Sequence, residues 1–561
     1  MSGIRRVFTY IVSLVTLGIF AAGIRTLLFL LFDTLLTDPA AIGRPGFVQQ
    51  QLSLGLAMLI IGGPLWFVFW RNAQQHTDGN PAEIGSISRQ TFLNLILIVT
   101  ALMTLFAAQD FLKWLISGAP RTLNTAGSIA TMIVAALIWY YYWRVSDAEG
   151  HPSQIAKTLR RWYIYITAGW GLIFLIMGIV ELVNSGVLSL RIWGDSLAST
   201  NFLSNGVSNN LPGIILGGIW WAFHWFRLAR NDIDSALRQV YLHLFAITGS
   251  AIAGLVALVI GLNQIFVWVF GFADNGAVYF QFLGWVIPLI VVSGGFWSYH
   301  RTLAQEESGQ ILERRLSAKR IHLYIMSFLG LGTLVSGLVI LLGVLLNLLA
   351  ESISPPIIAE AGWWQKQLSL ALALLIVAMP IWWYYWNQIV SMAAHGVAEW
   401  KARSRRIYLY GIVAAAILGL AADLVNIIYQ IMSNALTGNF GINTFRNSIW
   451  SIQSLIAATP LLIYHWRIVR GDQRRGAEIP AARKIVTLLA GGESKELVSR
   501  LEGKLGGKVQ FLQVRGGGPQ DLQVTDEDIV SLIKEIESSP TAKVMLIAYT
   551  GKLLVIPYQE K

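Results

Sequence analysis

At 561 residues the chain has the length of three or four soluble domains, but 55% of it is hydrophobic, only 13% is charged and the mean hydropathy is +0.57, which describes a polypeptide whose main solvent is lipid. The absence of cysteine excludes disulfides, thiolate metal sites, iron–sulfur clusters and cysteine nucleophiles. The net charge of +11 lies outside residues 476–561, where 11 basic residues balance 11 acidic ones, so the excess belongs to the apolar region and no nucleic-acid partner is expected.

Taken in chain order, twelve apolar runs are long enough to cross a hydrocarbon core of roughly 30 Å. They fall near 7–32, 48–70, 91–117, 125–143, 162–190, 210–226, 240–270, 278–299, 321–349, 365–386, 407–433 and 447–466. The first is too long for the apolar region of a cleavable signal, contains Arg25 and is followed by no small-residue cleavage pattern, so it reads as the first spanning helix.

The odd-numbered runs open on one motif, two basic or amide residues followed by rings. It reads Arg5-Arg6-Val7-Phe8-Thr9-Tyr10, Arg160-Arg161-Trp162-Tyr163-Ile164-Tyr165, Arg238-Gln239-Val240-Tyr241-Leu242-His243, Lys319-Arg320-Ile321-His322-Leu323-Tyr324 and Arg405-Arg406-Ile407-Tyr408-Leu409-Tyr410, with a degenerate copy at Arg89-Gln90-Thr91-Phe92-Leu93-Asn94. The even runs close on aromatics and a cation or amide: Trp70-Arg71, Trp143-Arg144, Trp225 and Arg227, His300-Arg301, Trp386-Asn387 and Trp466-Arg467. Openings recur every 71–86 residues, a repeat period. The expected fold is an all-α transmembrane bundle of twelve helices in six tandem parallel hairpins (1–87, 88–158, 159–236, 237–317, 318–403, 404–476), followed by a small α+β domain at 477–561.

Over residues 1–475, 24 Lys and Arg lie at the N-terminus, between hairpins and after the last run, against 6 within hairpin loops. The positive-inside rule then places both chain ends and the connectors in the cytoplasm of a bacterial inner membrane. The hairpins resemble an uncharacterised bacterial membrane family, a tandem two-helix domain of unknown function. The resemblance covers about residues 1–475, with the second hairpin departing most at Ser88, Thr91 and Asn94. It implies a repeated membrane architecture and carries no activity, substrate or cofactor.

The basic and aromatic ends read as interfacial anchors, Arg snorkelling to the headgroups and Trp lying half wet beside it: Arg5, Arg6, Trp70, Arg71, Trp143, Arg144, Arg160, Arg161, Trp225, Arg227, Arg238, Arg301, Arg320, Trp386, Arg405, Arg406, Trp466 and Arg467. The sharper alternative is that these ends form one cytoplasmic platform for an anionic headgroup or a protein. Pro64, Pro380 and Pro460 stand seven residues before the closing position, and Pro288 lies in the eighth run; each predicts a kink, with Gly62 and Gly63 allowing close helix approach.

His224, His243, His300, His322 and His465 all fall near the basic end, where haem or metal ligation competes with a ring-with-polar-tip packing role. Asp110, Glu181 and Asp423 come 18–21 residues after their opening bases, about 27–32 Å along the helix, near the outer interface. They suit interfacial pairs or a cation-attracting rim. No catalytic residue, metal or cofactor is expected.

In the tail, Lys484–Ala490 reads as a strand, Glu493–Leu505 as a helix, Lys508–Arg515 as a strand, a helix starts behind the Thr525/Asp528 capping box, and Lys543–Tyr549 with Leu553–Tyr558 reads as a hairpin turned at Thr550-Gly551. Gly491-Gly492 and Gly516-Gly517-Gly518 lack the ending of a phosphate loop. The functional expectation is a non-enzymatic membrane scaffold or sensor-like subunit, in the lipid bilayer, with a docking tail or aromatic face for a protein partner. A small-solute transporter or channel, and a haem- or metal-binding redox subunit, are the alternatives.

Overall fold

The computed structural model describes residues 3–36, 46–77, 80–120, 125–150, 152–190, 202–233, 235–271, 276–307, 312–355, 361–394, 402–478, 485–490, 495–505, 508–513, 524–539, 543–549 and 552–558. Among them, ten helices are long and apolar enough to cross a membrane. This, with the large apolar side chains they turn outward (Ile60, Val68, Leu137, Val291 and Leu418 among them), makes the chain a multi-pass membrane protein. The sixth and twelfth expected spans are outside the ten. The sixth has only 15 α-helical residues, Ser208–Ala222, between π-helical Phe202–Val207 and Phe223–Leu228. The twelfth is long but loads its first half with Arg446, Asn447, Ser448, Ser451 and Gln453.

The chain divides into Met1–Trp386 and Asn387–Lys561, so the sixth hairpin groups with the tail. The first unit runs α1 (Gly3–Leu36), α2 (Phe47–Gln75), the one-turn α3 (Pro81–Ile84), α4 (Ile87–Ile116), α5 (Thr125–Glu149), α6 (Gln154–Leu188), α7 (Ser208–Ala222), α8 (Ala236–Val240) continued through π-helical Tyr241–Ile247 into α9 (Thr248–Val269), α10 (Gly276–Tyr279), α11 (Leu283–Glu306), α12 (Leu312–Ile353) and α13 (Trp363–Ala394). Side-chain caps fix the starts of the helices that matter below: Ser86, Ser153 and Ser235 accept from the backbone N–H of Arg89, Ala156 and Arg238.

α1 packs along α2, α4 along α5, and α1 also meets α4 and α5, giving a four-helix group; α6 with α7 and α9 with α11 make a second, joined internally by α6 on α11 and to the first by α4 on α6 and α7. Glycine sets the closest approaches. A methyl at Gly62 would lie 2.7 Å from the Phe20 backbone N, and one at Gly171 would lie 2.7 Å from the Trp221 N, distances no real side chain tolerates. Pro64, Pro288 and Pro380 all lie inside helices of this unit, as does Pro212.

The second unit contains α14 (Arg403–Leu436) packed on α15 (Ile442–Glu478, with Pro460 inside) and a mixed sheet. The sheet is built from β1 (Ile485–Ala490), β2 (Val509–Gln513), β3 (Lys543–Tyr549) and β4 (Lys552–Tyr558) in the order β2-β1-β3-β4, parallel except for the β3–β4 hairpin. α16 (Lys495–Leu505) and α17 (Asp526–Ser538) bury Leu497, Leu501, Ile529, Leu532 and Ile536 against Val486, Leu488, Val544 and Leu546. The Thr525/Asp528 capping box is formed in both directions. The glycine runs at 491–492 and 516–518 and the turn at 550–551 lie outside the described residues.

Candidate functional site

Opening arginines Arg6, Arg89, Arg161 and Arg238 turn inward at the end of the bundle that holds the closing tryptophans. Arg6, on α1, donates through Nε and Nη2 to Glu83 of α3 at 2.8–3.1 Å. Arg89, three residues past its Ser86 cap, is fully buried and pairs through Nε and Nη2 with Glu149, the last residue of α5. Its remaining donors reach Tyr10 Oη at 3.0 Å and Gln74 Oε1 at 2.6 Å, and its guanidinium lies 5.4 Å from the Trp70 ring centre. Tyr10 in turn donates to Glu83, linking the two pairs. Around them Trp66 donates to Tyr142 Oη and Trp70 to Tyr141 Oη, while Phe92 stacks on Trp70. A guanidinium taken out of water is tolerable only when its donors are used this fully.

The same constellation returns 149 to 158 residues later. Arg161 pairs with Asp232 at 2.7 Å, Tyr165 donates to Asp232 at 2.9 Å, and Ser235 caps the turn that presents Arg238. Arg238 pairs with Glu307 through Nε and Nη2, gives Nη1 to the Ala229 carbonyl at 2.7 Å and lies 4.7 Å from the Trp225 ring centre. Trp221 donates to Tyr241 and Trp225 to Tyr299, and Tyr241 packs on Tyr165 as Phe92 packs on Tyr10. His300 occupies the place of Tyr142, 5.8 Å from Trp225. Two clasps per four helices, one buried and one half-buried, therefore close the end of each group.

In the second unit Arg405 pairs with Asp472 at 2.6 Å and Tyr408 meets His465 at 6.2 Å, 165 or 167 residues after their counterparts Arg238, Glu307, Tyr241 and His300. The acids Glu83 and Asp232 each stand six residues before the second arginine of their group, with the cap midway; Glu399 and Ala402 stand in the same places before Arg405, and Glu399 lies outside the described residues.

The expected anchors split. Arg5, Arg71, Arg144, Arg227, Arg301, Arg406, Arg467 and Trp466 are exposed; Arg6, Arg161, Arg320 and Trp143 are half-buried; Trp70, Trp225, Trp386, Arg160, Arg238 and Arg405 are buried. The buried members face protein: Arg238 and Arg405 pair with carboxylates, and Arg160 lies 4.0 Å from the Trp143 ring centre. Reading the motif for its cations alone missed their acids, Glu83, Glu149, Asp232, Glu307 and Asp472. Their signal is positional: in four hairpins an acid follows the closing cation by five or six residues.

The histidines are dispersed. His224, His300 and His465 each donate Nδ1–H to the carbonyl four residues earlier, at 2.8–2.9 Å, and His224 Nε2 accepts from Tyr163. His322 meets Thr248 Oγ1 at 2.6 Å and lies 6.4 Å from His243. Among the described residues no group of three or more His, Asp and Glu is placed to hold a metal. Asp110 accepts from Ser128, Glu181 from Asn184, and Asp423 is buried in α14.

A family model described as a domain of unknown function (DUF5671) matches residues 6–126, 113–192, 171–291 and 320–446 in tandem. Each of the three long matches exceeds one hairpin, and they start near the openings of the first, third and fifth hairpins; matching ends at 446, short of the expected 475. No curated protein and no solved structure matches the chain.

Proposed function

The chain belongs to this family of unknown function, and from its architecture we propose a multi-pass scaffold of the bacterial inner membrane, non-enzymatic, whose 477–561 module or basic aromatic face docks a cytosolic protein. In this reading twelve helices form six parallel hairpins with both chain ends cytoplasmic, and the first four hairpins pair into two four-helix blocks. The supporting observation is the clasped end: Arg6–Glu83 with Arg89–Glu149, and Arg161–Asp232 with Arg238–Glu307.

Removing one partner of a buried pair costs about 3–5 kcal/mol. Each of these pairs lies within one hairpin and fixes its end, while rocking of one hairpin against the next, as alternating access demands, would part the bonds from Arg89 to Tyr10 and Gln74 and the Trp–Tyr hydrogen bonds between hairpins. Parallel repeats also lack the inverted symmetry on which many carriers rely. A rigid end suits a platform better than a gate.

Two experiments test this. Because the chain has no cysteine, single cysteines placed at Ser2, Gly118 and Gly476 report topology with an impermeant thiol reagent. Labelling from inside only at Ser2 and Gly476 and from outside at Gly118 is expected. Second, the protein extracted in mild detergent is expected to carry a stoichiometric partner that is lost when residues 477–561 are removed. A protein that comes out alone and moves solute in proteoliposomes sinks the scaffold reading.

A further inference from the structure

At the other end of the first helical group, α1, α4 and α5 enclose a divided cleft. Its inner part, about 360 Å³, is almost wholly apolar, lined by residues such as Leu14, Gly18, Ala21, Ile96, Val99 and Ile138. Its outer part, about 610 Å³, contains Asp110 and Ser128, and Arg25 and Thr131 stand where the two meet. Arg25 is nineteen residues past Arg6 on the same helix, so it lies about 28 Å from the clasps.

Arg25 gives Nε–H to Thr131 Oγ1 at 2.7 Å, and no carboxylate pairs with it among the described residues. Asp110 accepts from Ser128 Oγ at 3.3 Å, and no cation pairs with it among the described residues. Ser128 and Thr131 are three residues apart on α5, neighbours on one face at about 5–6 Å. A cation and an anion are thus held apart, one helical turn from each other, at the mouth of an apolar crevice. Both charges are exposed, and a cation and an anion so spaced are placed to receive a group carrying the opposite pair.

We propose that this cleft binds a phosphatidylethanolamine-class lipid: phosphate on the Arg25 guanidinium, ammonium on Asp110, one acyl chain in the apolar crevice. The second chain stays in the bilayer, because Leu95, Val99 and Met103 along the cleft are 42–46% exposed and open it sideways to lipid. A headgroup with only a negative charge would face Asp110 unfavourably. A choline headgroup has no N–H to give that carboxylate.

The test uses the full chain reconstituted in nanodiscs of phosphatidylcholine doped with phosphatidylethanolamine or phosphatidylglycerol, with bound lipid counted by native mass spectrometry. Wild type is expected to retain one phosphatidylethanolamine per chain. Asp110→Asn and Gly18→Leu are each expected to lower that retention at least about tenfold. Gly18→Leu is the informative variant, because a Cβ built there meets nothing within 4 Å and leucine is the better helix former, so the crevice fills while the fold is kept. Equal retention of phosphatidylglycerol or phosphatidylcholine overturns the assignment. So does undiminished phosphatidylethanolamine retention in Gly18→Leu.

Discussion

Replacing Arg238 by methionine removes the cation from a pair whose side chains are 6% and 8% exposed and leaves the Glu307 carboxylate and the Ala229 carbonyl without the donors Arg238 gives them. Three donor contacts to the carboxylate disappear together with a cation–π contact at 4.7 Å. Breaking a buried pair from one side costs about 3–5 kcal/mol, and a desolvated cation–π contact adds up to about 2 kcal/mol. Arg238→Met is therefore expected to lose at least about 3 kcal/mol. Removing both partners, Arg238→Met with Glu307→Leu, is expected to recover most of it, since well-packed apolar replacements of buried pairs are neutral or stabilising by about 1–4 kcal/mol. Thermal unfolding in detergent reads this through the 22 tryptophans, and Trp225 beside the clasp makes the signal local. A single-variant cost below about 1 kcal/mol, the value of an exposed pair, would refute the reasoning by showing that water reaches the clasp.

The clasps should rank by burial: Arg89→Met, from a side chain with no exposure, costs more than Arg161→Met, whose side chain is 29% exposed and whose partner is 17% exposed, and equal unfolding shifts would contradict this. Gly171→Leu forces α6 off α7 at the Trp221 backbone and is expected to cost about 1–3 kcal/mol or more, read as a lowered unfolding midpoint. His300→Tyr should keep the fold within about 1.5 kcal/mol, because Tyr142 fills the corresponding place in the first group; a collapse would deny the equivalence of the groups. Thr525→Ala removes the side-chain half of the α17 capping box, leaving the backbone N–H of residue 525 on Asp528, and is expected to cost about 1 kcal/mol, seen as faster protease cleavage within 524–539 of the intact chain.

Much of the architecture was legible in residue order because it depends on local rules. Apolar length marks a spanning helix whatever surrounds it, and period-2 alternation with a capping box marked β1, α17 and the β3–β4 hairpin to within a residue or two. The glycine pair at 62–63 announced a close helix approach for the same reason: only a missing Cβ permits it.

What the linear pattern could not carry is pairing across 60–77 residues. Arg89 and Glu149, or Arg238 and Glu307, look like unrelated surface charges until α4 and α5, or α8 and the end of α11, bring them together, and an arginine at a helix end reads as a lipid anchor by default. The cleft depends likewise on three helices meeting: Arg25 and Asp110 are 85 residues apart in sequence and share a cavity only because α1 and α5 face α4. Hydropathy decides that a helix enters the membrane. Which of its charges stay wet and which are buried in pairs is decided by its neighbours, because the cost of desolvating a charge depends on the partner it meets, and that partner is a property of the fold.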